Sequence, residues 1–314
     1  MEVKLIRGLH NMASATKGGV ITIGNFDGVH LAHQALIAKV KAKARLLSAP
    51  ASVMTFEPQP FEYFSPTACA PRLTRWREKY CLLAKQGIDQ VIAVYFTKAF
   101  SALTAEQFVQ RVLCDGLAVK GVIVGDDFRF GQARQGDVDF LRDAGKRYGF
   151  EVEIVPAITL DQERISSTRI RQALADKDHE LADRMLGRPY TMVGRVVHGN
   201  KQGRIMGFPT ANIYLHRRAS PVNGVYIVRM GGLGDKLIPG VANVGIRPTI
   251  GGTQILLEVH LFHFNQDIYG RQVTVEFCTK LRDEEYYSSI EELVVQIGRD
   301  ADMACDYFKA RGEL

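Results

Sequence analysis

The strongest constraint on the fold is a change of sequence pattern near residue 187. Up to about residue 185, short apolar runs without alternation are separated by segments with helical spacing. The apolar runs have the composition of buried strands and lie at 20–23, 51–56, 90–96, 121–124 and 152–155. The helical segments between them lie at 31–47, 75–85, 105–113 and 138–148. This alternation predicts a parallel sheet with helices on both faces.

The second half consists of short strand-like runs bounded by Gly, Pro and Asn. They lie at 193–198, 211–215, 224–229, 238–244, 256–262 and 272–277. Because no helix long enough for a crossover separates them, the pattern predicts an antiparallel barrel or sandwich. Helical spacing at 288–309 predicts a closing helix. We therefore expect two domains, 1–186 and 187–314.

Composition narrows the classes of protein without identifying one. The 314 residues are 46% hydrophobic and 24% charged, which is typical of soluble globular chains. No apolar run approaches the roughly 18 residues that span a bilayer, and the first residues lack signal-peptide features. Five scattered cysteines predict free thiols in the cytoplasm rather than zinc or disulfides. A net charge of +6 suits nucleotides and nucleic acids equally.

The first motif is Gly24-Asn25-Phe26-Asp27-Gly28-Val29-His30-Leu31-Ala32-His33, which follows the run 20–23 and opens a helical pattern. His30 and His33, three residues apart, share one face of the first turn beside free backbone N–H groups. The motif predicts a site for a polyphosphate. The alternative is that one histidine caps the helix and the other is solvated.

Other segments are expected to meet this motif. Residues 24–33, 57–60 and 125–131 each follow a predicted strand, so all three lie at the carboxyl edge of a parallel sheet, where ligands bind. Ser167 and Thr168 suit the N-cap of a helix predicted over 169–186, and Arg169 can bridge phosphate oxygens.

The second motif is a glycine-rich basic loop, residues 199–209, that runs into a predicted strand. Thr210 and Asn212 lie two residues apart on that strand and so face the same side. Their oxygens suit Mg²⁺ carrying ATP phosphates, and the loop N–H groups can cradle those phosphates. The alternative is a hairpin followed by a strand with two exposed polar residues.

The first motif resembles the HxGH signature of nucleotidylyltransferases. Its longer form, with the GFPTAN of residues 207–212, is similar to bacterial bifunctional riboflavin kinase/FAD synthetases. The resemblance implies a Rossmann-like domain followed by a six-stranded antiparallel β-barrel of the riboflavin kinase type. It also implies phosphorylation of riboflavin to FMN by the second domain and adenylylation of FMN to FAD by the first, both with MgATP. Riboflavin, FMN and ATP are then the partners, and we expect no nucleic acid, membrane or obligate protein partner.

The resemblance also implies residue roles. The catalytic residues would be Glu258, as the base that deprotonates riboflavin, with His30, His33 and Arg169 on the phosphates of ATP. The residues that would bind ATP are Gly24, Asn25, Asp27, Ser167, Thr168, Gly203, Arg204, Gly207, Thr210 and Asn212, with Thr210 and Asn212 also holding Mg²⁺. The residues that would bind flavin are Glu57, Pro58, Pro60, Asp127, Phe128, Arg247, Arg282, Glu285 and Tyr287.

The chain departs from the family pattern at a few positions. Ala32 replaces a usual glycine, Gln59 a common histidine, Asp127 a common asparagine and Tyr287 a phenylalanine. Two alternatives stay open at this point. One is a single-activity adenylyltransferase for another cofactor precursor, which would have no need of Thr210, Asn212 and Glu258. The other is an RNA-binding, synthetase-like protein, which would need surface aromatics interleaved with basic residues.

Overall fold

The computed structural model describes residues 3–66, 70–199, 203, 206–249 and 252–314. The chain forms two compact units. The first contains Met1–Ala70 and Thr74–Ser167, and the second contains Pro71–Leu73 and Thr168–Leu314. Within the described residues, none of the helices has the length and apolar character that a membrane span requires.

The first unit is built on a six-stranded parallel sheet with the order β1-β4-β3-β2-β5-β6. Its strands are β1 (Lys4–Arg7), β2 (Val20–Ile23), β3 (Ala51–Glu57), β4 (Gln90–Tyr95), β5 (Gly121–Gly125) and β6 (Glu151–Val155). The sequence predicted five of these strands and missed β1. Since β3, β2 and β5 are neighbours, the segments that follow them leave the sheet side by side at one edge.

Helices connect the strands of this sheet. They are α1 (Leu31–Leu46), α2 (Pro60–Phe64), α3 (Trp76–Lys85), α4 (Lys98–Ser101), α5 (Ala105–Phe108) and α6 (Val138–Tyr148). The helix predicted over 138–148 is confirmed: the Asp137 side chain accepts from the Phe140 N–H at 2.9 Å, and Gly149 ends the helix in the left-handed region. The helix predicted over 105–113 differs, because α5 continues as a π-helix over Val109–Gly116. Short 3₁₀ turns at Leu9–Ser14 and Gln132–Arg134 and a hairpin, β7 (Thr159–Leu160) with β8 (Glu163–Arg164), complete this unit.

The second unit begins with two helices, and the prediction of a single helix over 169–186 is wrong. The chain instead forms α7 (Ser167–Ala175) and α8 (His179–Leu186). Lys177 adopts φ 67 between them, and the Asp178 carboxylate caps α8 by accepting from the Leu181 N–H at 2.9 Å. Because α7 begins at Ser167, Ser167 and Thr168 lie in its first turn rather than at its N-cap.

A closed six-stranded antiparallel barrel with the order β10-β13-β12-β11-β14-β9 follows. Its strands are β9 (Thr191–Val197), β10 (Thr210–Tyr214), β11 (Gly224–Gly231), β12 (Ile238–Thr249), β13 (Gly252–Leu261) and β14 (Gln272–Arg282). The barrel alternative is therefore confirmed over the sandwich. The predicted closing helix is α9 (Ile290–Lys309), which packs Ala304 and Phe308 against Val225 and Val241 of the barrel.

The short segment Pro71–Leu73 belongs to this second unit through its backbone. Its three carbonyls accept hydrogen bonds in turn from Arg171 Nε at 2.6 Å, Arg217 Nη1 at 2.6 Å and the Tyr190 hydroxyl at 3.2 Å. Nothing in the sequence pattern signals this use of residues 71–73.

Candidate active sites

The two histidines of the first motif lie together at the start of α1. His30 is the N-cap residue, and its Nδ1 faces the His33 N–H at 3.4 Å. The two rings stack with centroids 3.6 Å apart and an interplanar angle of 16°. The predicted shared face is thus confirmed. His30 fulfils the capping half of the alternative. The other half, a solvated His33, is wrong, because the Nδ1 atom of His33 is buried.

Both imidazoles can serve as neutral hydrogen-bond donors. Burial, with further effects of His30 and Lys79, holds the pKa of His33 well below its usual range. Its Nδ1 atom is buried and has no hydrogen-bond partner in the part of the chain that the structure describes. Because Nδ1 of His30 accepts from a backbone N–H, the proton of a neutral His30 ring is on Nε2.

Asp27 shapes the turn that precedes these histidines. Its buried Oδ1 accepts from the Thr74 backbone N–H at 2.9 Å and from the Thr74 hydroxyl at 3.1 Å. The Thr74 hydroxyl oxygen in turn accepts from the Gly28 N–H at 3.0 Å. The Ser167 hydroxyl donates to the Asp27 carbonyl at 2.8 Å, which attaches residue 167 to the first motif. Sequence reasoning missed Thr74, for which no local motif exists.

Gly24 and Asn25, which were also predicted to bind ATP, connect the first motif to β3 through backbone groups. The Gly24 N–H donates to the Met54 carbonyl at 3.1 Å, and the Asn25 carbonyl accepts from the Thr55 hydroxyl at 3.1 Å. These bonds attach the turn to β3. Thr168 and Arg169 follow Ser167 in α7 and belong to the second unit.

The predicted flavin loop after β3 leads directly into α2. Glu57 is the last residue of β3, and the Glu57–Pro58 peptide bond is cis. Gln59 is the N-cap of α2, where its N–H donates to Glu62 Oε2 at 2.9 Å, and Pro60 is the first helical residue. The side chain of Gln59 is buried.

An aromatic cluster beside this loop was not predicted. Its neighbouring ring centroids lie 5.2–5.8 Å apart, and its members are Phe56, Tyr63, Phe64, Phe96 and Phe100. Phe64 is 66% exposed, so the cluster reaches solvent at the carboxyl edge of the sheet. The sequence signal was available in the aromatic residues that follow β3 and β4, but it has no fixed spacing.

Asp127, which stands where the family commonly has asparagine, forms an ion pair with Arg164. Arg164 Nη2 lies 2.7 Å from Asp127 Oδ1 and 3.0 Å from Asp126 Oδ1. Asparagine could not form this ion pair, so the carboxylate at 127 attaches its turn to β8. Next to it, Phe128 stacks on Phe130 at 5.4 Å.

In the second unit, strand register assembles the predicted kinase residues. Asn212 of β10 and Glu258 of β13 are direct Cα partners, and Thr210 is the partner of His260. These four side chains are half-buried, while Ala211 and Val259 between them are buried. Thr210, Asn212 and Glu258 therefore share the outer face of the barrel and can bring a hydroxyl, an amide and a carboxylate together.

Glycines of the preceding loop fit closely around these side chains. A Cβ at Gly199 would lie 2.5 Å from the Asn212 side chain, and one at Gly203 would lie 3.2 Å from Thr210 Oγ1. Gly207 adopts φ 84, a conformation that favours glycine. Arg204 lies outside the described residues. The backbone of Arg247 pairs with Gln254 in the β12–β13 ladder, and its side chain lies outside the described part.

Among the described residues, no hydrogen bond joins His260 to Glu258. Its Nδ1 lies 2.9 Å from the Pro209 carbonyl and must donate, because a carbonyl only accepts. Its ring meets Phe208 edge-on at 5.5 Å. His260 thus holds the segment that leads into Thr210.

In the second unit, an ion pair and a hydrogen bond hold the segment that contains the predicted flavin-binding residues Arg282, Glu285 and Tyr287. Arg282 contacts the buried Asp300 of α9 through two nitrogens, with Nε to Oδ1 at 3.0 Å and Nη2 to Oδ2 at 2.7 Å. The Tyr287 hydroxyl donates to Glu285 Oε2 at 2.9 Å, and Arg282 lies over the Tyr287 ring. Asp300 was not predicted, because a carboxylate in a helix carries no sequence signal for this contact.

A further contact, also missed, attaches the same loop to β12. Asn243 Nδ2 donates to Glu284 Oε1 at 3.0 Å, and Asn243 is the register partner of Glu258 on the opposite side from Asn212. Asn212, Glu258 and Asn243 therefore form one row across three strands.

Comparisons with known proteins match both units. The FAD synthetase family matches residues 12–169, and the riboflavin kinase family matches residues 186–308. The chain is 48% identical over 308 residues to the bifunctional riboflavin kinase/FMN adenylyltransferase of Haemophilus influenzae, covering 98% of this chain and 100% of that protein. The protein of the same name from Escherichia coli K12 is 48% identical over 307 residues, 98% of each chain. A solved structure titled as a macrolide-efflux protein from Streptococcus pneumoniae superposes with a TM-score of 0.81 at 31% identity, covering 95% of this chain and 97% of that one.

Proposed function

The chain belongs to the family of bifunctional riboflavin kinase/FMN adenylyltransferases, and we propose that it performs the two reactions with the two groups of residues described above. It is an enzyme of FMN and FAD biosynthesis with an FAD synthetase region followed by a riboflavin kinase region. The alternative of a single-activity adenylyltransferase is wrong, because both regions are present and the Haemophilus influenzae protein is matched over its whole length.

For the kinase reaction, we assign Glu258 as the base. Its carboxylate takes the proton of the terminal ribityl hydroxyl as that oxygen attacks the γ-phosphorus of ATP. The bond from the γ-phosphorus to the bridging oxygen breaks, and ADP leaves with the electron pair. The observation that carries this assignment is the register that pairs Glu258 with Asn212, two residues from Thr210.

Thr210 and Asn212 are the candidate ligands of Mg²⁺. Their hydroxyl and amide oxygens are the hard donors that Mg²⁺ prefers, and both lie on the outer face of β10. Asn212 Nδ2 points toward the Thr210 carbonyl at 3.4 Å, so its Oδ1 is turned elsewhere, as a metal ligand requires. When bound, the ion would neutralise charge that develops on the phosphates.

For the adenylyl transfer, we assign His30 and His33 as neutral donors to the phosphates of ATP. A phosphate oxygen of FMN attacks the α-phosphorus, and pyrophosphate leaves with the electrons of the broken bond. The low pKa of His33 and the capping bond of His30 support this neutral donor role. Arg169 keeps its predicted contact with the leaving pyrophosphate, and Ser167 holds the Asp27 turn in place.

The flavin ends of the two sites are assigned separately. In the first unit, Glu57, Pro58, Pro60, Asp127 and Phe128 stay predicted flavin contacts, and the aromatic cluster offers ring faces for an isoalloxazine. In the second unit, Tyr287 offers a ring, while Arg282 is engaged by Asp300 and acts through the loop that it anchors. The cytoplasmic location expected from the scattered cysteines also stays a prediction.

The test is incubation of the full chain with riboflavin, ATP and Mg²⁺, followed by chromatographic separation of riboflavin, FMN and FAD. We expect FMN and then FAD in the parent chain. Glu258→Gln should convert supplied FMN to FAD but should phosphorylate riboflavin far more slowly than the parent. Phosphorylation of riboflavin by Glu258→Gln at the parent rate would show that Glu258 is not the base.

A further inference from the structure

Asn243 of β12 lies beside the flavin-side loop, the segment 283–289 between β14 and α9. It is also the third residue of the row that contains Asn212 and Glu258. Across the barrel's outer face, Asn243 of β12 and Asn212 of β10 flank Glu258 of β13 as its direct register partners. Asn243 is half-buried, whereas Ala242 and Val244 beside it are buried and face the opposite side. Directly opposed residues on one face have Cβ atoms about 4.5–5.5 Å apart, so the Asn243 amide is adjacent to the Glu258 side chain.

The orientation of the Asn243 amide follows from its partner. Nδ2 donates to Glu284 Oε1 at 3.0 Å, and a carboxylate can only accept, so the nitrogen must face Glu284. The carbonyl oxygen is then turned away from Glu284. This Oδ1 atom is buried and has no hydrogen-bond partner in the described part of the chain. A buried carbonyl oxygen normally has a donor, so this atom calls for one that arrives with a ligand.

Gly245 explains why Glu284 can reach this position. A Cβ built on Gly245 would lie 2.2 Å from Glu284 Oε1 and 2.8 Å from Glu284 Cδ. The carboxylate therefore lies directly over residue 245, two positions along β12 from Asn243 and on the same face. Any residue other than glycine at 245 would displace it.

The loop that Glu284 attaches carries the flavin-side residues. Arg282 is bound to Asp300 of α9 at one end, and Tyr287 bonds with Glu285 further along. Between them, the bond from Asn243 to Glu284 ties the loop to the strand that neighbours Glu258. Residues 283–286 are all exposed, so few buried contacts oppose a shift of this segment when a substrate enters.

We propose that Asn243 is a substrate-positioning residue of the kinase site that acts through both ends of its amide. Its N–H group holds Glu284, and with it the flavin-side loop, in register with Glu258. Its Oδ1 accepts a hydrogen bond from a hydroxyl of the ribityl chain, which keeps the terminal hydroxyl at the base. The proposal rests on the assignment of Glu258 as the base of the kinase reaction.

The test measures kcat and KM for riboflavin at saturating ATP and Mg²⁺ in the full chain. Asn243→Leu keeps the size of the side chain but loses both hydrogen bonds, so kcat/KM for riboflavin should fall about 30- to 100-fold. Glu284→Leu loses only the loop attachment and should cost about 5- to 10-fold. Glu284→Gln keeps an accepting oxygen and should stay within about threefold of the parent. In all three, the KM for ATP and the adenylylation of supplied FMN should be unchanged.

A glycine pair tests the attachment without altering any polar group. Gly245→Ala displaces the Glu284 carboxylate and should match Glu284→Leu. Gly231→Ala is the control on β11, because its Cβ would come closest to the flexible end of Leu237, at 2.9 Å, and lie at an ordinary 4.0 Å from the Thr274 carbonyl oxygen. This variant should behave as the parent. If Asn243→Leu does not fold, as judged by its melting temperature, Asn243→Ala takes its place.

Two results would overturn the proposal. Parent-like kcat/KM in Glu284→Leu would show that the loop does not act through Asn243. Equal losses in Asn243→Leu and Glu284→Leu would show that Oδ1 binds no substrate hydroxyl. Either result, with Glu258→Gln still inactive as a kinase, would leave the proposed function standing. A Glu258→Gln variant that phosphorylates riboflavin at the parent rate would instead overturn both the assignment of Glu258 as the base and the proposal for Asn243.

Discussion

The two nucleotide sites are built in opposite ways. In the first unit, His30 and His33 are close in sequence and are brought together by one turn of helix. In the second, Asn212, Glu258 and Asn243 are separated by up to 46 positions and are brought together by strand register. The pairing of the two histidines needs only one turn of helix, whereas a register site depends on the alignment of whole strands, because a shift by one residue turns a side chain to the other face.

The largest expected effect concerns the register site. Glu258→Gln keeps the shape of the side chain and removes the base, so riboflavin phosphorylation should fall about 10²- to 10⁴-fold. Rates of FMN formation from riboflavin give the measurement. Glu276→Gln, on β14 of the same barrel, is the matched control and should phosphorylate riboflavin normally.

The local site should show a comparable loss confined to the other reaction. His33→Ala removes one neutral donor and should slow adenylylation of FMN about 10²- to 10³-fold. The variant should accumulate FMN from riboflavin, which chromatography would detect. His10→Ala, at an exposed histidine of the same unit, should make FAD as the parent does. FAD formation by His33→Ala at the parent rate would assign the histidine a structural role only.

A fragment experiment tests how far the second unit is independent. A fragment that begins at Leu186 contains the whole barrel and should phosphorylate riboflavin without making FAD. It lacks α7 and all of α8 except Leu186, and the buried Ile170, Ala182 and Met185 of these helices belong to the second unit. We therefore expect a fragment beginning at Thr168 to melt at a higher temperature than one beginning at Leu186. Equal melting temperatures would place the domain boundary after Leu186, as predicted from the sequence.

The smallest expected effect is a pH-dependent change in stability at His179. This buried side chain packs edge-on against Tyr226, and neither ring nitrogen has a hydrogen-bond partner in the described residues. Burial, with the nearby charge of Lys280, lowers its pKa to about 4. In the unfolded chain this imidazole binds a proton below about pH 6.5, whereas in the folded chain it stays neutral down to about pH 4. The free energy of unfolding therefore decreases as pH falls from about 6.5 to about 4, by at most about 3 kcal/mol from this group.

His179→Leu removes this effect and should melt at a higher temperature than the parent, by more at pH 5 than at pH 7. Comparison of variant with parent is needed because Asp183 acts in the opposite sense. Burial raises the pKa of Asp183 to about 6, so the folded chain binds that proton first and gains stability as pH falls. Equal differences in melting temperature at both pH values would contradict the prediction for His179.

Much of the fold and part of the first site were predictable, because their signals are local. Apolar runs and helical spacing predicted five strands of the sheet, all six strands of the barrel and the closing helix. The spacing of His30 and His33 predicted their shared face. The break between α7 and α8 was missed because helical spacing continues across it, while the Asp178 cap and the left-handed Lys177 interrupt the backbone.

The sequence by itself determined the two patterns of secondary structure, the paired histidines and the same-face placement of Thr210 with Asn212, because these depend on neighbours within a few residues. Only the tertiary structure decided that Asp27 would be held by Thr74, that Asp127 would pair with Arg164, and that Glu284 would meet Asn243 over Gly245. Each of those contacts joins residues more than 35 positions apart. Their partners are chosen by the geometry of packed strands and loops, which no local spacing encodes.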